Sequence, residues 1–290
     1  MKSKMIVYAI SLLLSYLLSV NYQDAVGFVL ILSIGIIHGA NDLLIIKEFN
    51  RENSLKRRFL DLFYYLGFVF LGFAFFYFFP SIAIITFVIV SIYHFGEQHW
   101  ESNMSYIEIN KSKIFLPIIF HGSIFFLIIF LNNINVVNEV LGSFGIISLN
   151  DSILLAILIS ISILYTIVIL YINKIRSFIL NEIIFFILLF LLTINSSLIF
   201  GFAVYFIFFH SLLSIKDQIS FIYKNKGKEN IKKYITSAMP YFILALIFLT
   251  LFYLIVDVNS IDILPIIFTF LAAITFPHVI VIEKMYRNMK

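Results

Sequence analysis

Apolar residues fall along this chain in blocks of roughly 20 positions, the length a helix needs to cross the hydrocarbon core of a bilayer. Ten such blocks can be drawn, near 5–20, 25–46, 59–78, 80–96, 113–131, 152–172, 178–194, 198–215, 234–256 and 263–283. Polar or turn-forming stretches separate them. The pattern predicts an all-α fold, a polytopic transmembrane helix bundle of about ten spans. The first block resembles a signal peptide in length, but no small-residue cleavage site leads into a hydrophilic chain, so it is read as a span. With no internal repeat and no linker, residues 1–290 read as a single integral-membrane helical domain.

Charge tests this division independently, because Lys and Arg collect in short cytoplasmic loops. If both termini are cytoplasmic, all 20 basic residues fall on the inner side, in segments such as "KEFNRENSLKRR", "KSK" and "KDQISFIYKNKGKENIKK". The proposed outer loops "NYQD", "FFPS", "NNINVVNEVLGSFGIISLND", "NSS" and "DVNSID" carry none. A miscounted span would put later lysines on the wrong side. The expected location is the cell inner (plasma) membrane, crossed many times. Composition agrees: 62% of residues are hydrophobic, 12% are charged, and mean hydropathy is +1.05. The net charge of +4 is explained by topology, and no nucleic-acid partner is expected. Cysteine is absent. Any metal must therefore rest on nitrogen and oxygen ligands.

Ionisable residues at membrane depth are costly and mark functional sites. His38 in "GIIHGANDLL", His94 in "SIYHFGEQHW", His210 in "FFHSLLSI" and His278 in "TFPHVIVIEK" lie on four different spans. All four spans run outside to inside, which places the imidazoles at similar depth in the inner half. A lone intramembrane histidine is usually a packing residue; four in one layer reverse that expectation. Asp42, four residues after His38, and Glu97, three after His94, share a helical face with those histidines, the spacing of acids that orient metal-bound imidazoles. His121 in "IIFHGSIFF" is a candidate for the substrate cavity. His99, about 140° around a helix from His94, reads as an exposed loop residue, with Gly96 as a possible helix end and Trp100 as an interfacial anchor. Glu182 is a polar anchor with no evident partner.

An imidazole-rich, sulfur-free site suits iron, copper or zinc, and its placement points to chemistry on a lipid. Stacked haems would need histidines at two depths, clustered HxxHH motifs are absent, and no mid-span lysine is available for a Schiff base. The alternative is a non-enzymatic carrier of a proton, metal ion or isoprenoid lipid using the same histidine layer.

Taken in order, "HGANDLL", "YHFGEQHW", "FFHSLLS" and "FPHVIVIEKMYR" resemble the signature segments of the Brp/Blh family of membrane β-carotene 15,15'-dioxygenases. The resemblance implies cleavage of the central double bond of β-carotene with O2 to two retinals, at a histidine-bound Fe(II). It carries the iron-ligand role onto His38, His94 and His210, with His278 as a further candidate and Asp42 and Glu97 as orienting acids. The implied partners are a carotenoid, O2 and membrane lipid, with a retinal-binding rhodopsin as a functional link. One position departs from the family pattern. Where HSxxH is typical, this chain has "HSLLS", so Ser214 stands one helical turn after His210 in place of a second histidine.

Overall fold

The computed structural model describes residues 2–50, 54–104, 109, 111–225, 227–255 and 263–289. Among them every regular element is helical, as expected of segments whose backbone polar groups must be paired internally in lipid. The helices are α1 (Lys2–Leu17), α2 (Val20–Asn50), α3 (Leu55–Phe78), α4 (Pro80–Asn103), α5 (Lys111–Asn132), α6 (Ile134–Ser143), α7 (Asp151–Tyr171), α8 (Arg176–Ile194), α9 (Leu198–Tyr223), α10 (Lys228–Ile255) and α11 (Ile263–Met289). Nine of them are long and apolar enough to cross a membrane; the chain is a multi-pass membrane protein. The expected first span is α1, which has 16 residues, about 24 Å at 1.5 Å per residue and short of the roughly 30 Å hydrocarbon core. The expected outer loop "NYQD" lies inside α2, and the long loop before α7 contains the short helix α6. "DVNSID" falls outside the described residues.

Helix starts follow local chemistry. Ser54, Asn150 and Ser197 each accept a bond from the backbone N–H three residues on, capping α3, α7 and α9, which satisfies one of the orphan donors of each first turn. Pro80 opens α4, where its missing N–H costs nothing. Two helices carry a π-helical turn, Ile31–Gly35 within α2 and Phe206–Ser211 within α9. Such turns insert an extra residue, change the register of side chains around the helix and recur at functional sites.

The contacts divide the chain into two compact units. The first comprises Met1–Ile31, Ser91–Glu139 and Ile147–Leu213. In it α5 packs on α7 and α8, α1 packs on α8, and the first turns of α2 meet the first turns of α9. Gly96 on α4 and Gly122 on α5 allow these two helices to touch backbone to backbone: a Cβ on Gly96 would collide with the Ile118 carbonyl, and one on Gly122 with the Ile92 carbonyl. Close approach through small residues is how membrane helices gain dispersion contacts that lipid would otherwise supply. Gly96 therefore ends no helix; α4 runs through it to Asn103.

The second unit comprises Leu32–Val90, Val140–Ile146 and Ser214–Lys290. Here α11 packs along α3 and against the Asp42–Asn50 half of α2, while α10 meets the His38 turn. Ile45, Phe221, Val281, Ile282, Met285 and Tyr286 form one buried apolar cluster.

Candidate metal centre

In the second unit His38 follows the π turn of α2 by one helical turn. Its Nδ1 bonds to the Gly35 carbonyl oxygen. A carbonyl only accepts, so Nδ1 carries the proton and the lone pair is on Nε2. His278, set one residue after Pro277 on α11, lies edge-on to His38 with ring centroids 4.6 Å apart and planes at 82°. The Asp42 carboxylate receives the His278 Nδ1–H at 2.9 and 3.1 Å and the Tyr65 hydroxyl at 2.8 Å, which likewise leaves the His278 lone pair on Nε2. The sequence spacing paired Asp42 with His38; the carboxylate instead holds His278. The cause is local. The chain leaves α-helical geometry at Asn41 (φ −96°, ψ 11°), so an i, i+4 pair spanning that turn does not keep the register of a straight helix.

A polar brace backs this pair. Gln218 donates to the His38 carbonyl at 2.9 Å and to Ser214 Oγ at 3.0 Å, and its own side-chain oxygen receives the Tyr234 hydroxyl at 2.7 Å. Asn41 in turn donates to the Tyr234 carbonyl at 3.0 Å. Ser214 is fully enclosed and serves as an acceptor in this brace.

The first unit holds a second edge-on pair. His94 on α4 and His210 in the π turn of α9 have centroids 4.7 Å apart and planes at 74°. Phe95 meets His210 edge-on at 4.5 Å and Phe206 stacks on it at 5.6 Å. Gln98, one turn after His94, donates to the His210 carbonyl at 2.7 Å. All four histidines are buried. Glu97, expected beside His94, is fully enclosed; its Oε1 accepts the Tyr93 hydroxyl at 2.8 Å and pairs with the Lys111 ammonium. The two glutamines were missed by the sequence reading. Both lie just past the expected span ends at 96 and 215, and only the extension of α4 to Asn103 and of α9 to Tyr223 brings them into the bundle, one or two turns after a histidine.

His99, His121 and Glu182 converge elsewhere in the first unit. His99 Nε2 is 2.8 Å from Glu182 Oε1, and His121 Nδ1 is 2.9 Å from Glu182 Oε2. Tyr165 donates to Glu182 Oε2 at 2.7 Å. The expectation of an exposed loop His99 is overturned, since it lies on α4 and is 5% exposed. Trp100 is no interfacial anchor; its exposure is 0%. Both corrections follow from α4 continuing past Gly96. His121 is likewise fully buried and lines neither of the two cavities that reach Glu182.

Residues 29–286 match the family described as beta-carotene 15,15'-dioxygenase. The chain belongs to that family. The match spans both units' histidine pairs and Ser214. No curated protein and no solved structure matches the chain. In this dioxygenase-family chain, each of the four signature segments thus delivers a buried imidazole to an edge-on pair, one pair in each unit.

Proposed function

We propose that this protein cleaves the central 15,15' double bond of β-carotene, or of a related carotenoid, with O2, at a non-haem Fe(II) bound by His38, His94 and His210. The carbon–carbon double bond breaks and each carbon takes one oxygen atom, so one carotenoid and one O2 give two retinal-type aldehydes. The observation that supports this reading is the paired and buried state of the four histidines, with the tautomers of His38 and His278 fixed, within a chain of the dioxygenase family. Gly35 and Asp42 hold the protons of His38 and His278 on Nδ1 and so turn Nε2 lone pairs toward a cation. The donor set, imidazole without sulfur, suits ferrous iron, which when bound supplies the reactivity toward O2.

The protein's own residues would then position and shield. Asp42, itself fixed by Tyr65, makes His278 the additional ligand or the support beside His38; a carboxylate behind an imidazole raises its basicity and fixes its ring. Gln98 fastens the backbone at His210, inside the π turn of α9, and Gln218 fastens it at His38, just before the break at Asn41. Phe95 and Phe206 against His210 exclude water and offer an apolar surface to a polyene, which has no polar handle of its own. A carotenoid would arrive from the lipid of the cell inner membrane, and a retinal-binding rhodopsin is the natural recipient of the product.

Colour tests the proposal. Carotenoid-producing cells expressing the chain should bleach as retinal accumulates, and cells expressing His38→Ala, His94→Ala or His210→Ala should stay yellow, with the purified variants losing iron. Normal retinal formation in any of the three would remove that residue from the site. Carotenoid bleaching without O2 uptake, or transport without cleavage, would overturn the enzymatic reading in favour of a carrier.

A further inference from the structure

We propose that His99, His121 and Glu182 form a second metal site, taking one divalent ion of the zinc or ferrous class and tying α4, α5 and α8 together within the first unit. None of these residues belongs to the histidine pairs. His99 shares α4 with His94 but projects about 140° away from it around the helix, so the two rings serve different centres.

Four observations carry the proposal. The first is spacing. Donor atoms bound tetrahedrally to one ion at about 2.0–2.2 Å stand about 3.3–3.6 Å apart. The His99–Glu182 and His121–Glu182 donor pairs are at 2.8 and 2.9 Å, and one donor atom from each of the three residues lies within 4.8 Å of the others. An opening of about half an ångström would admit the ion.

The second is charge. The Glu182 carboxylate is 3% exposed, and the described partners of its oxygens are His99, His121 and Tyr165, with no lysine or arginine among them. A buried carboxylate requires a positive partner. The two imidazoles stack at 3.6 Å with planes 20° apart, so they cannot both be cationic without strong mutual repulsion. A dication bound by two neutral rings and one carboxylate meets both demands.

The third is the hydrogen-bond pattern. Asn103 Nδ2 lies 3.0 Å from the same His99 Nε2 that faces Glu182. One ring nitrogen cannot donate to the carboxylate and accept from the amide at once. Turned around, the amide presents Oδ1 instead, and a cation taken up by Nε2 and Oε1 would have that oxygen beside it as a further neutral ligand, with no ring proton required. The remaining His121 nitrogen, Nε2, faces the Tyr205 hydroxyl at 3.4 Å, and Tyr165 holds the carboxylate from behind. These are the outer partners that metal-bound imidazoles and carboxylates carry.

The fourth is access. A cavity of about 190 Å³ lined by Tyr8, His99, Asn103, Asn181 and Glu182 reaches the cluster. A separate apolar cavity of about 310 Å³, lined in part by Tyr165 and Phe186, also reaches Glu182. An ion can enter by the first, more polar route.

The test is metal stoichiometry on the full chain in detergent, stripped with chelator and titrated with Co2+ as a visible probe. The unaltered protein should take two equivalents. The double variant His38→Ala with His210→Ala should keep one equivalent and its visible absorption, and adding Glu182→Gln should abolish it. If the double variant binds no Co2+, the second site is overturned, while loss of the unaltered protein's equivalent supports the iron reading. If the double variant and the unaltered protein each bind one equivalent that Glu182→Gln removes, the second site stands and the proposed iron centre fails. Should the triple variant not stay monodisperse, the count on the unaltered protein decides together with His99→Gln: two equivalents falling to one supports the site, and an unchanged count overturns it.

Discussion

At the scale of single residues, the His38–His278 pair is defined less by the rings than by what holds their other nitrogen. Asp42 bridges His278 and Tyr65, so Asp42→Asn removes a charge-assisted bond and lets the imidazole change tautomer. The expected result is a loss of about 10- to 100-fold in metal affinity or turnover, read from iron content and retinal formation, with Tyr65→Phe giving a smaller loss of the same kind. Ser214 makes a second case. Its hydroxyl accepts from Gln218, which in turn holds the His38 carbonyl. Ser214→Ala should cost about 1 kcal/mol, one hydrogen bond's net worth, seen as a lower melting midpoint. Ser214→His must displace that bond in a fully enclosed position, and overpacking of this kind costs about 1–3 kcal/mol. Melting should therefore fall even if iron affinity rises, and the two are measured separately.

Helices set where those residues can point. Each π turn shifts the register of everything beyond it, and His38 takes its bond from the carbonyl of Gly35, the last residue of the Ile31–Gly35 turn. Deleting Ser33 would restore plain α geometry and swing one part of α2 by about 100° relative to the other. The expected outcome is unchanged helix content by circular dichroism with iron binding and retinal formation abolished; retained activity would mean that the π turn is incidental. The α4–α5 contact offers a matched prediction. Gly96→Val or Gly122→Val drives a side chain into the facing carbonyl, and destabilisation above about 2 kcal/mol follows from the forced backbone shift, measured as a loss of monodisperse protein or a lower melting midpoint. Because α4 also carries His94, Gln98 and His99, both histidine sites of the first unit should suffer together.

For the whole molecule the open quantity is the number of crossings. Among the described residues nine helices have the length and composition to span, and α1, at 16 residues, decides the parity. The absence of Lys and Arg from every proposed outer loop is the pattern expected of ten crossings with both termini inside. Fluorescent-protein and phosphatase reporters fused at each end should therefore both report the cytoplasmic side. Opposite sides would mean that α1 lies along the interface, and the charge pattern would then need another explanation. Exposed apolar side chains such as Leu155, Ile159 and Ile163 on α7 have no place in water and fit lipid contact.

Taken alone, the sequence determined the class of the protein. Block length and hydropathy dictate membrane helices because unpaired backbone cannot exist in hydrocarbon, and the placement of Lys and Arg predicts their orientation. Rare polar residues stand out so strongly in this composition that His38, His94, His210 and His278 were visible as candidates without any coordinates. Which side chains meet was decided by tertiary structure. A fixed i, i+4 spacing assigned Asp42 to His38, but the turn at Asn41 gave it to His278; Gly96 read as a helix stop and is a contact point; Glu182 had no visible partner because His99 and His121 lie 83 and 61 positions away in the chain. Helical periodicity is local and survives only while the helix is regular. Contacts between helices depend on rotation and depth, and a single π turn or a pair of glycines resets both.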